Sequence, residues 1–166
     1  MDEKTITCCF TGHRPGKLPW GADETDPRCL AMQEELRAHL EGIYASGYRV
    51  FYCGMAEGCD MLFAEAVLSL RARCPDVRLE AAVPCADQPL RWARAQRKRY
   101  NRLLDSCDSV HILQLHYAPG CMQRRNRYMI DRSSLLLACY NGLPGGTRST
   151  MLCAMREGLK VLTVEV

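Results

Sequence analysis

A chain of 166 residues that is 48% hydrophobic and 25% charged, with a formal net charge of +3, has enough apolar material for one folded domain over residues 1–166 and too much for intrinsic disorder. No apolar run approaches the roughly 20 residues of a membrane-spanning helix, so a cytoplasmic protein with no membrane partner is expected. The eleven cysteines are odd in number and contain no C-x-x-C pair, which argues for buried apolar thiols in a reducing compartment rather than a zinc site or disulfide framework. No metal ligation is expected.

Residues 5–10 form a β-rich run ending at Thr11-Gly12, which predicts a first strand with His13 and Arg14 at its C-terminal end. Prolines and glycines make 15–27 a loop, with Trp20 packing it down or covering a ligand. Leu30, Met32, Leu36, Leu40, Ile43 and Tyr44 recur at helical spacing from 28 to about 46, and Gly47 supplies a stop. A second strand over 48–53 passes through a turn at 54–58 into a helix beginning near Cys59 or Asp60. After a third strand over 77–83, Asp87 is placed to cap a helix that runs to about Leu104 and carries Arg91, Arg94, Arg97, Lys98, Arg99 and Arg102. A fourth strand over 108–115, a loop over 116–121 and a short helix over 122–131 follow. A near-continuous apolar strand over 133–140, a helix from the 144–147 turn to about 157 and a strand over 161–164 complete the chain. Strands alternating with helices imply right-handed crossovers, hence an α/β, Rossmann-like three-layer domain with a mostly parallel sheet.

Three glycine-bearing turns then fall at the carboxyl ends of strands, where open α/β sheets bind ligands. None is the G-x-G-x-x-G or G-x-x-x-x-G-K-[ST] pattern. In the first, Gly12-His13-Arg14, the planar Arg14 guanidinium suits two phosphate oxygens at once and His13 is a second donor. The structural alternative pairs Arg14 with a surface acid and His13 with a backbone carbonyl. In the second, Gly54 and Gly58 let the backbone approach a ligand closely, with Met55 and Glu57 between them. Asp60 either caps the next helix or accepts bonds from ribose hydroxyls. In the third, which begins at Asn141, Gly145, Gly146 and Thr147 offer backbone N–H groups and a hydroxyl at a helix start. Arg125 and Asn126 belong to a mixed cluster suited to a pocket or a subunit interface. The Arg91 to Arg102 run is a solvated face or a nucleic-acid surface. Cys53 and Cys59 flank the second turn, where a thiol near a helix N-terminus can be acidified.

The segments Thr11-Gly12-His13-Arg14, Cys53-Gly54-Met55-Ala56-Glu57-Gly58-Cys59-Asp60, Arg125-Asn126-Arg127-Tyr128-Met129-Ile130-Asp131 and Asn141-Gly142-Leu143-Pro144-Gly145-Gly146-Thr147, in this order, resemble the YpsA-like branch of the SLOG superfamily. That superfamily includes the DNA-processing Smf/DprA proteins and the Lonely Guy phosphoribohydrolases. The resemblance implies a Rossmann-like domain for nucleotides or nucleotide-derived ligands, with an adenine nucleotide or ADP-ribose as the ligand class. It places ligand contacts at Gly54, Gly58, Asp60, Gly145, Gly146 and Thr147. The Lonely Guy pattern P-G-G-x-G-T-x-x-E reads Pro-Gly-Gly-Thr-Arg-Ser-Thr-Met-Leu from Pro144, without the glutamate that serves glycosidic cleavage.

The expected function is therefore a cytosolic sensor or regulatory protein that binds a phosphorylated, ribose-containing small molecule. Two alternatives stand beside it. One is a nucleotide N-glycosidic bond hydrolase with Glu57 or Asp60 as acid/base; the other is a single-stranded nucleic-acid binding protein that uses the basic helix. A homo-oligomer is expected, with Arg125-Asn126-Arg127 completing a neighbour's site.

Overall fold

Six short segments become strands: β1 (Thr7–Thr11), β2 (Val50–Cys53), β3 (Arg78–Val83), β4 (Ser109–Ile112), β5 (Leu135–Tyr140) and β6 (Lys160–Glu165). They alternate with α1 (Pro27–Ala45), α2 (Cys59–Arg73), α3 (Arg94–Ser106), α4 (Cys121–Asp131) and α5 (Gly146–Arg156) in a computed structural model that describes residues 2–166. Every residue of β1 and β2 is buried, because helices cover both faces of the sheet and leave no solvent side to demand alternation. Successive side chains still divide between the faces. Cys8 and Phe10 join the core under α1, α2 and α3, whereas Cys9 joins Met129, Ile130, Met151 and Ala154 under α4 and α5. The Phe10 and Phe63 rings stack at 4.3 Å in the first of these cores.

All strand pairs are parallel, in the order β4-β3-β2-β1-β5-β6, as the sequence led us to expect. Since β1 lies between β2 and β5, strand order reverses beside it, and the crevice for a ligand lies outside its carboxyl end. The turns after β1, β2 and β5 meet there. Among the described residues no helix is long and apolar enough to cross a membrane.

Local departures from the sequence reading have local causes. Thr5 and Ile6 are in a 3-10 turn, Glu3–Ile6, whose start is capped by the Asp2 carboxylate, so β1 begins at Thr7. Tyr48 precedes β2 because Gly47, at φ 105°, still completes the exit from α1. The largest departure is at Asp87, which caps no helix. Its carboxylate accepts the Tyr117 N–H at 3.0 Å, and α3 starts only at Arg94. The Gln88 side chain is drawn into the sheet's carboxyl edge, donating to the Gly54 and Met55 carbonyls at 3.3 Å each. These tertiary bonds hold 84–93 in turns that a helix would break.

The basic run is also redistributed. Arg91 precedes α3, Arg99 bridges Glu24 and Glu65, and Arg102 lies 3.9 Å from Glu65. Arg94, Arg97 and Lys98 stay exposed, on the α1–α3 side of the sheet and away from α4 and α5.

Candidate functional site

The second turn is built around a buried arginine. Arg125, on α4, is 5% exposed and donates through Nη1 to the Gly54 carbonyl and, at 3.4 Å, to that of Ala82. Gly54 must be glycine because an added Cβ would stand 2.5 Å from Arg125 Cζ. Asn126 Oδ1 accepts from Arg125 Nε at 2.8 Å while its amide donates to Thr150 Oγ1 at 3.1 Å, which ties α4 to α5. Burial pushes the Arg125 pKa down and the Asp60 charge opposes that shift; guanidinium nevertheless remains protonated in proteins.

Asp60 is the counter-charge. Its Oδ2 accepts the Ala56 N–H at 3.1 Å, so the carboxylate closes the turn that precedes α2 and does not cap the helix, whose N-cap Gly58 has no side-chain partner. Burial raises the Asp60 pKa, and Arg125 and the Ala56 N–H pull it back. Met55 is fully buried at φ 59°, a left-handed conformation costing a non-glycine residue about 1–2 kcal/mol. The surrounding bonds enforce it, since Gln88 holds its carbonyl and Cys53 Sγ accepts its N–H at 3.4 Å. Cys53 is thus a structural element of the turn, with a thiol pKa raised well above normal by burial and the nearby Asp60. Cys59 is fully buried, so neither thiol is presented to a reagent.

His13 joins the first turn to the third. The Asn141 N–H donates to Nε2 at 3.1 Å, which leaves the proton on Nδ1, 3.3 Å from Thr147 Oγ1. Burial and the Lys17 charge lower its pKa, consistent with a neutral ring. Both ring nitrogens are therefore engaged within the protein. The Thr147 hydroxyl accepts from His13 and keeps its own proton for a ligand. Gly58, at φ 88°, passes so close that a Cβ would lie 2.7 Å from the His13 carbonyl oxygen, and that oxygen accepts the Cys59 N–H at 3.1 Å. His13→Ala is expected to cost about 2 kcal/mol by leaving the Asn141 N–H and Thr147 hydroxyl without their partner, read as a lowered urea midpoint at unchanged slope.

These turns enclose a cavity of about 710 Å³ lined by Thr11, Gly12, His13, Arg14, Lys17, Ala56, Asp60, Arg125, Asn126, Gly146 and Thr147, and continuing between α4 and α5. Its charge is lopsided. The Arg14 guanidinium donates to Met122 Sδ at 3.6 Å, and among the described residues neither Arg14 nor Lys17 has an acidic partner. Lys17 Nζ would lie 2.8 Å from a Cβ on Gly145, so the ammonium sits over the start of α5. That helix begins at Gly146 with no side-chain cap, which leaves its first N–H groups available to an anion. Among the described residues, Asp60 is the one acid in the lining.

Of the residues singled out from sequence, Gly12, His13, Arg14, Asp60, Arg125, Asn126, Gly146 and Thr147 line the cavity. Gly54, Met55, Gly58, Asn141 and Gly145 shape its walls from behind. Glu57 lies outside the lining, and so does Leu152, which stands where the Lonely Guy pattern has its glutamate and is 46% exposed. Arg125 and Asn126 both bond within their own chain. Lys17, Ser149, Thr150 and Arg156 were missed. Lys17 in Pro15-Gly16-Lys17 offered a signal, as a lone cation in a glycine-bearing loop after a strand. Among the described residues no group of three or more metal-ligating side chains comes together.

The comparisons agree with this fold. The model of the YspA SLOG family (YpsA) matches residues 8–158. The SPbeta prophage-derived protein YoqJ of Bacillus subtilis is 29% identical over 148 residues, covering 81% of this chain and 86% of YoqJ. A UPF0398 protein of Bacillus pumilus is 26% identical over 145 residues, covering 86% of this chain and 77% of its own. Among solved structures, DNA processing protein A (DprA) of Streptococcus pneumoniae superposes with a TM-score of 0.65 at 16% identity, over 97% of this chain and 50% of that one. The Helicobacter pylori DprA, a single-stranded DNA binding protein, gives 0.63 at 15% identity over 97% and 66%. At these identities the likeness is one of fold, and this chain spans about half the length of the pneumococcal protein.

Proposed function

The chain belongs to the YpsA SLOG family, and from that premise we propose that it binds a phosphorylated, ribose-containing small molecule, an adenine nucleotide or ADP-ribose-like ligand, in a sensing or regulatory role. The observation that carries this reading is the pairing, in one cavity, of Arg14 and Lys17, which have no acidic partner among the described residues, with a buried carboxylate, Asp60. Phosphate fits the cationic side, where Arg14, Lys17, the Thr147 hydroxyl and the first N–H groups of α5 converge. Asp60 is repelled by phosphate and suits ribose hydroxyls, which donate to it. Hydrolysis has less support, because Glu57 is outside the cavity and the glutamate position after Pro144 is an outward-facing Leu152.

Calorimetric titration with AMP, ATP, NAD and ADP-ribose tests the proposal. At least one should give saturable heat, and Arg14→Ala should weaken it by roughly tenfold or more, the worth of a charge-assisted hydrogen bond. No heat from any of the four, or an Arg14→Ala variant that binds as tightly as the wild type, would count against it.

A further inference from the structure

The cavity extends well beyond the strand ends. Along α5 it is lined by Gly146, Ser149, Thr150, Cys153 and Arg156, a stripe at helical spacing that covers the whole helix on one side. Along α4, the lining from Met122 to Ile130 follows the facing helix in the same way. From Thr147 to Arg156 the helix rises about 14 Å. A pocket for one phosphate and one ribose would end within the first turn of α5. This one continues as a groove between two helices, with the buried Met129 and Ile130 among its lining residues.

The two arginines in the far part of the groove differ. Arg127 is committed to Asp131 and Glu157, each at 3.0 Å. Arg156 lines the groove, is exposed and has no acidic partner among the described residues. The groove therefore has uncommitted cations at both ends: Arg14 and Lys17 at the strand edge and Arg156 at the other.

Building on the nucleotide-binding reading above, we propose that the ligand carries two separated phosphate groups, one held at Arg14, Lys17 and the start of α5 and the other at Arg156, with its nucleoside lying along the α4–α5 groove. That chemistry is found both in a nucleoside bisphosphate and in a short 5′-phosphorylated oligonucleotide, and length distinguishes them. The groove selects against a mononucleotide bearing phosphate at one end only, because such a ligand leaves Arg156 unused.

The test compares AMP, adenosine 3′,5′-bisphosphate and the dinucleotide pApA by calorimetry on wild type, Arg156→Gln and Arg148→Gln, with circular dichroism to establish folding. Arg148 is exposed on α5 and outside the groove lining, so its variant should match wild type. One of the two-phosphate ligands should bind wild type roughly tenfold tighter than AMP, the worth of one charge-assisted bond. Arg156→Gln should remove that advantage while leaving AMP affinity unchanged. If AMP binds as tightly as both longer ligands, or the advantage persists in Arg156→Gln, the second phosphate site is wrong and the nucleotide-binding reading stands. If none of the three binds, AMP included, and the nucleotide panel is also silent, both fail.

Discussion

Gly54→Ala should destabilise the protein by about 3 kcal/mol and lower its melting temperature by roughly 10 °C. The cause is the Arg125 guanidinium, whose Cζ would lie 2.5 Å from the new methyl group. The guanidinium has no easy retreat. It bonds to the Gly54 and Ala82 carbonyls, is held at Nε by Asn126, and is the counter-charge of a buried Asp60. Moving it takes a charged donor from two carbonyls, of which Gly54 keeps only the longer bond from Gln88, and leaves a carboxylate uncompensated. A double-mutant cycle isolates this cause. Arg125→Ala alone should also be strongly destabilising, because it strands Asp60. In Gly54→Ala/Arg125→Ala the clash is gone, so the combined cost should fall short of the sum by at least about 1 kcal/mol. Additive costs in urea denaturation would mean that the methyl group disturbs the turn directly, without acting through Arg125.

That cycle also explains why part of the site was legible in the sequence and part was not. Gly54 reads correctly as a close-approach glycine, but what approaches is the chain's own arginine rather than a ligand. Sequence spacing reports that the backbone must be bare and says nothing of which group needs the space. His13 is a similar case. As a polar residue after a strand it was read as an anion donor, yet its ring nitrogens are used by Asn141 and Thr147, 128 and 134 residues away in sequence. The parallel sheet is more transparent, because burial on both faces writes itself into β2 and β5 as unbroken apolar runs. Asp87 was misread because a cap is judged from local sequence. The N–H that claims this carboxylate belongs to Tyr117, 30 residues on. Arg156 was invisible for a related reason: an exposed cation on a helix becomes informative only once the structure shows which acids its neighbours have taken.

Asp60→Asn should change both the pH dependence of stability and the choice of sugar. In the folded protein the Asp60 pKa is raised above 3.8, with burial the largest cause. The native state therefore holds this proton more tightly than the unfolded chain. The resulting stabilisation is fully present below pH 3.8 and is lost as pH rises through the folded pKa. His13 has the opposite sign. Its folded pKa is lowered from 6.5, so its contribution is present above that value and is lost as pH falls through the folded pKa. In the wild type the two slopes oppose each other wherever their windows overlap. Removing the carboxylate removes its slope and leaves those of His13 and the other shifted groups, superimposed on a pH-independent loss from depriving Arg125 of its counter-charge. Relative to wild type, Asp60→Asn should thus gain stability as pH rises from about 4, measured as urea midpoints across a pH series. A difference that stays flat would mean that Asp60 titrates no differently when folded. The same carboxylate is the proposed partner of ribose hydroxyls, so wild type should bind AMP roughly tenfold more tightly than its 2′,3′-dideoxy analogue, the worth of a hydrogen bond to a charged group. Asp60→Asn should lose most of that preference while retaining affinity for the shared phosphate, because Arg14, Lys17 and the start of α5 are untouched. A variant that still discriminates as well as wild type would move the ribose away from Asp60 and leave the carboxylate with only its role in closing the turn around Ala56.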